Sequence, residues 1–175
     1  MFSFAGETPA LYLTSKDDVS SKFIEQVDQE ERSIKMISQR MSDPEVVKAL
    51  ILAHKRGAFV ELIVEPSTVT KNSPLLLCLE NAIEVFVWQS DKVPKSKSEA
   101  KRRLHHFFTV FGSKLCWLGS YSFSLKRKYR PFESSLLFSD EKLAGQLLEE
   151  FDTIKKNYTI PLEAYLKSKE LSSKR

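Results

Sequence analysis

The residues best suited to moving protons near neutral pH are three histidines, His54, His105 and His106. His54 falls inside a helical pattern and has no functional case. The pair His105-His106 is different, because cations bracket it. Lys92, Lys95, Lys97, Lys101, Arg102 and Arg103 precede it, and Lys126, Arg127, Lys128 and Arg130 follow it. A single basic run is ordinarily a solvated loop. Two runs around one candidate site favour an anionic partner, because adjacent cations focus a field on phosphate groups. Cys78 and Cys116 sit within apolar runs and read as reduced core residues, neither a disulfide framework nor a metal site. With so few cysteines and histidines, no metal and no cofactor is expected.

The elements that must hold these residues are those of one α/β domain. At 42% hydrophobic and 29% charged residues, the chain has enough apolar side chains for a core. No apolar run is long enough to span a membrane. Residues 1–10 lack a basic stretch followed by a long apolar one, so a cytoplasmic location is expected.

Leu11–Thr14 reads as a short strand, followed by a helix capped at Ser15 with Val19, Phe23, Ile24 and Val27 on one side. Ile34–Ser38 suits a buried strand. Ser42-Asp43-Pro44 starts a helix over residues 45–56 that Gly57 ends. Phe59–Val64 is the next strand. Asn72-Ser73-Pro74 opens a further helix, and residues 83–88 form another strand. Asp91–Arg103, polar and basic, predicts a mobile loop. Leu104–Phe111 and Leu115–Leu118 form a hairpin turning at Gly112-Ser113-Lys114, and Phe132–Phe138 is the last strand. Asp140–Asn157 is an amphipathic helix burying Leu143, Leu147, Leu148, Phe151 and Ile154. Pro161 stops it, and the Lys- and Ser-rich end beyond Leu166 is expected to fray. The domain is therefore placed at residues 1–157, with a basic C-terminal extension over 158–175. The element order implies a mixed central sheet with helices on both faces.

Three segments then resemble the phospholipase D superfamily. Ile34-Lys35-Met36-Ile37, Ser42-Asp43-Pro44-Glu45, Lys55-Arg56-Gly57 and Val60–Val64 are similar to the N-terminal half of such domains. His105-His106-Phe107, running to Gly112, resembles the motif in which histidine, any residue and lysine are followed after four residues by aspartate. Phe107 stands at the lysine position and Gly112 at the aspartate position. Gly119-Ser120-Tyr121-Ser122 resembles the glycine–serine–any–asparagine element, with Ser122 in place of asparagine, and Glu133 the glutamate of the following strand. The single copy of the motif is similar to small bacterial members that build one active site across a two-fold dimer.

The resemblance implies a metal-free phosphodiesterase chemistry. One histidine attacks phosphorus to give a phospho-histidine, and a second protonates the leaving oxygen and then activates water. His105 of each subunit takes these roles. Glu133 fixes the imidazole tautomer, and Ser120 orients His105 or donates to phosphate. Ser122, Lys126, Arg127 and Lys128 bind the phosphate.

Phe107 offers neither charge nor donor. Loss of one preorganised donor costs about 3–4 kcal/mol of transition-state stabilisation, roughly 10²–10³ in rate. The implied function is a degenerate phosphodiesterase-fold protein that binds phosphodiester ligands, single-stranded nucleic acid or anionic phospholipid, with little or no turnover. An active nuclease or phospholipase with a substituted cation is one alternative, and a scaffold or oligomerisation module is another.

Overall fold

The computed structural model describes residues 8–89, 103–124 and 132–173, with side chains described through residue 169. The strands are β1 (Ala10–Leu13), β2 (Ser33–Ser38), β3 (Phe59–Val64), β4 (Glu84–Trp88), β5 (Phe108–Phe111), β6 (Leu115–Gly119), β7 (Ser134–Ser139) and β8 (Thr159–Pro161). The helices are α1 (Val19–Gln29), α2 (Pro44–Lys55), α3 (Leu76–Glu80), α4 (Glu141–Tyr158) and α5 (Leu162–Ser173). The strands form a single mixed sheet in the order β1-β7-β6-β5-β2-β3-β4-β8. β2, β3 and β4 run parallel; the remaining pairings are antiparallel.

Local chemistry sets the helix starts. The Asp43 carboxylate accepts the Glu45 N–H at 3.0 Å, and Pro44 occupies the first turn, where a missing N–H costs nothing. Glu45 near the start of α2 and Lys55 near its end complement the helix dipole. Gly57, at φ +106°, then reverses the chain into β3.

The core lies on both faces of the sheet. On one face Phe23, Val47 and Leu50 from α1 and α2 meet Ile34, Met36, Leu62, Phe111 and Trp117. On the other, Phe151 and Ile154 of α4 cover Ile37, Ile63 and Phe108. Glu61 lies under α4, 1% exposed, and pairs with Lys155 and with Lys35 at 3.4 Å. Lys35 also reaches Asp152 at 2.8 Å, so charge as well as packing ties α4 to the sheet.

Several expectations are corrected. Asp18, not Ser15, caps α1, its carboxylate accepting the Ser21 N–H at 3.2 Å. α3 begins at Leu76 and makes little more than one turn. β5 begins at Phe108, so residues 104–107 enter the sheet as irregular chain. Leu143 is 41% exposed, whereas Ala144 is buried, because α4 is rotated to bring its small residue against the sheet.

The largest correction concerns the C-terminus. β7 is not the last strand: β8 adds to β4, with Pro161 on an edge where a missing N–H breaks no ladder bond. Leu162 and Tyr165 enter the core, and the end expected to fray beyond Leu166 continues α5 to Ser173. These two core residues pack the segment after residue 157 against the sheet. The surrounding Lys and Ser residues hide that in the sequence. Cys78 and Cys116 are free and buried, as expected. No helix among the described residues is long and apolar enough to cross a membrane.

Candidate functional site

Strand direction and register gather the candidate residues at one end of the sheet. The parallel strands β2, β3 and β4 finish there, at Ser38, Val64 and Trp88. β5 starts there, because Phe108 pairs with Ile37. β6 finishes there, since Leu118 pairs with Phe108, and Gly119 then pairs with Ser135 near the start of β7. β1 also ends there, with Leu13 opposite Ser134. His105, Ser120, Ser122 and Glu133 all sit on chain entering or leaving the sheet at this end. Gly112 is at the opposite end.

His105 is exposed and precedes β5. Its neighbours are held firmly: the Leu104 N–H donates to the buried Glu65 carboxylate at 2.7 Å, and the buried Phe107 ring packs against Phe123 at 5.5 Å between centroids. Position 107 is thus a core position, 6% exposed. His106 is exposed, with Nε2 3.2 Å from Glu150 Oε1. No hydrogen bond among the described residues links His105 to Ser120, Ser122 or Glu133.

The turn after β6 is tight for a steric reason. A Cβ at Gly119 would lie 2.3 Å from the Ser134 carbonyl oxygen, so only glycine fits. The Ser120 N–H donates to the Ser134 carbonyl at 2.9 Å, and the Ser120 hydroxyl accepts the Ser134 N–H at 3.2 Å. That leaves the hydroxyl's own proton to donate elsewhere. Ser122 is 2% exposed, and its hydroxyl has no partner among the described residues. The Glu133 backbone is clamped to Thr14, donating its N–H to Thr14 Oγ1 at 2.9 Å and accepting the Thr14 N–H at 3.0 Å. Gly112 occupies the hairpin turn at φ +59°, donating its N–H to the Ser33 carbonyl at 2.8 Å. Lys126, Arg127 and Lys128 lie outside the described residues, as do Lys92, Lys95, Lys97, Lys101 and Arg102.

Sequence reasoning missed three features at this end. Ser20 Oγ lies 3.1 Å from the Tyr121 hydroxyl and donates to Asp43 at 3.2 Å, so the cap of α2 doubles as a buried polar link to the serine turn. Burial pushes the Tyr121 phenol above its usual range; the Ser20 hydrogen bond opposes this, and the charges of Asp43, Asp18 and Glu133 add to it. The second feature is a cavity of about 530 Å³ beside His105, walled largely by Trp88, Leu104, Ile154 and Tyr158. The third is a cavity of about 340 Å³ lined by Arg40 and a set of hydroxyls. Sequence spacing carries no signal for either cavity, because each joins segments far apart along the chain.

The family model described as "Cardiolipin synthase, PLD-like domain" matches residues 23–155. A phospholipase D of Rickettsia prowazekii is 30% identical over 131 residues, 74% of this chain and 59% of that protein. A phospholipase D of Rickettsia conorii is likewise 30% identical, over 60% of its length. The chain therefore spans about three-fifths of these relatives. Among solved structures, NucT from Helicobacter pylori superposes with a TM-score of 0.76 at 15% identity, covering 86% of this chain and 97% of that one. Nuc from Salmonella typhimurium, described as a phospholipase D family member, superposes at 0.69 with 17% identity and the same coverage. At such identities the two structures speak for the fold.

Proposed function

The chain belongs to the phospholipase D-like family, and on that premise we propose that it binds phosphodiester ligands around His105 with little or no turnover. The observation that carries this reading is the pairing of an exposed His105 with a buried Phe107. In a motif that spaces histidine and lysine two residues apart, the imidazole remains accessible to a phosphate. The companion position presents hydrocarbon to the core. A site of this composition can attract and hold an oxyanion, but it lacks one donor that would stabilise charge as it moves off phosphorus.

In this reading Ser120 and Ser122 contribute hydroxyls, Glu133 acts on the imidazole, and Lys126, Arg127 and Lys128 supply positive charge. A second copy of the chain brings the second His105, since a single motif holds one imidazole for a two-imidazole reaction. The apolar cavity beside His105 takes the uncharged part of the ligand.

The test has two arms. Hydrolysis of bis(4-nitrophenyl) phosphate is expected to stay at background for the native chain and for His105→Ala alike. Turnover by the native chain that His105→Ala abolishes would make it an enzyme and end the proposal. In the second arm, a phosphodiester-bearing ligand is offered as single-stranded DNA or as anionic phospholipid vesicles. Binding is expected to weaken steeply with salt, and to weaken further in His105→Ala. Whichever source binds identifies the ligand; no binding to either leaves the scaffold alternative.

A further inference from the structure

The cavity containing Arg40 lies at the same end of the sheet, outside the ends of β2 and β3. Open α/β sheets bind ligands beyond the carboxyl ends of their parallel strands, where the strand order reverses. β2 is that point here: its sequence successor β3 lies on one side, and the antiparallel β5 on the other. The loop after β2 brings Arg40 and Ser42. The loop after β3 brings Ser67, Thr70 and Asn72, and the turn after β6 brings Ser124.

The chemistry of this lining is one-sided. It holds one guanidinium, several hydroxyls and an amide, and no carboxylate. Arg40 is exposed and forms no ion pair among the described residues; its backbone carbonyl accepts the Ser38 hydroxyl at 2.6 Å. The nearby acids are engaged elsewhere, Asp43 with Ser20 and the Glu45 N–H, and Glu65 with the Leu104 N–H. The cavity is also built rigidly. Thr68 Oγ1 accepts the Met41 N–H and donates to the Met41 carbonyl, both at 2.9 Å, locking the two loops together. The Phe123 carbonyl accepts the Ser42 N–H at 2.7 Å and the Asp43 N–H at 3.1 Å, which docks the Ser124 turn onto the same loop.

We propose that this cavity is an oxyanion subsite in which Arg40 binds a phosphate group and the surrounding hydroxyls donate to it. A guanidinium offers a planar fork matched to phosphate oxygens, and charge-assisted bonds of this kind are the stronger ones. The subsite is tied to the His105 segment at two points, through Glu65, which holds Leu104, and through Phe123, which packs on Phe107. As part of the phosphodiester site this extends the function proposed above, assigning a second phosphate contact to the same ligand.

The experiment is a titration of the full chain with inorganic phosphate at low salt, followed by calorimetry, on the native chain and three variants. Arg40→Gln is expected to weaken binding about ten- to a hundredfold. Lys48→Ala removes the same charge from an exposed position on α2 and is expected to leave binding unchanged. His105→Ala is expected to retain phosphate binding at Arg40. Arg40 is exposed, so Arg40→Gln should melt at the native temperature, and a loss of binding then reports the site. Native-like binding by Arg40→Gln overturns the inference, as does an equal loss in Lys48→Ala, which reduces the effect to net charge. If His105→Ala loses binding while Arg40→Gln keeps it, this inference fails and the His105 reading survives.

Discussion

The two halves of the sheet are covered to different degrees. The parallel half, β2 to β4, lies between α2 on one face and α4 on the other. β3 is buried from Val60 to Val64, and β2 from Met36 to Ser38. The antiparallel half, β5, β6, β7 and β1, is covered by α1 on one face, where Phe23 meets Phe111, Trp117 and Phe123. On the α4 face the register aligns Phe108, Leu118, Leu136 and Leu11 in a row across these four strands. Phe108 is buried, but Leu118, Leu136 and Leu11 are 42%, 36% and 61% exposed, because α4 does not reach them. The half that carries the serine turn and the start of the histidine segment is therefore only partly enclosed, while the other half supplies the rigid platform.

The largest expected effect lies in the enclosed half. Leu62→Ala removes a side chain that is 1% exposed and should cost about 2–5 kcal/mol of stability, read from urea unfolding. A loss below about 1 kcal/mol would mean that the parallel half is not the platform described.

The thiols sharpen the comparison at an intermediate level. Burial pushes Cys78, in α3, up to about 12, and pushes Cys116, in β6, up to about 11 with Asp140 adding to it. Both should resist a disulfide reagent in the native chain at pH 8 and react on unfolding. The sign of the pH effect follows from linkage. In the folded chain the thiols hold their protons above the unfolded value of about 8.5. Stability is then complete below that pH and falls as pH rises from there through 11 and 12. Faster labelling of Cys116 would place the looser packing in the antiparallel half, whereas faster labelling of Cys78 would reverse the comparison.

The smallest effect is expected on the open face. Leu136→Ser should change stability by no more than about 0.5 kcal/mol. A loss comparable to that of Leu62→Ala, and dependent on protein concentration, would show that a second copy of the chain covers this row in solution.

Much of the fold is legible from local pattern. β3 falls on its expected residues, and α2, with its Asp43-Pro44 start and Gly57 end, lies within one residue of its expected bounds. The misreadings share a cause. The apolar run from Leu104 reads as strand, but pairing with β2 starts only at Phe108, so Phe107 packs into the core from irregular chain. The end after residue 157 reads as solvated because two buried residues, Leu162 and Tyr165, are diluted among lysines and serines.

The sequence alone determined the order of strands and helices as far as α4, since side-chain spacing and capping act within a few residues of themselves. It also set His105, Phe107, Ser120, Ser122 and Glu133 in the order that reveals the family. Only tertiary structure decided that these segments meet at one end of the sheet, that Phe107 turns into the core, and that Arg40 faces a ring of hydroxyls. Each depends on strand order and register, which arise from contacts between residues distant along the chain and leave no periodic trace in it.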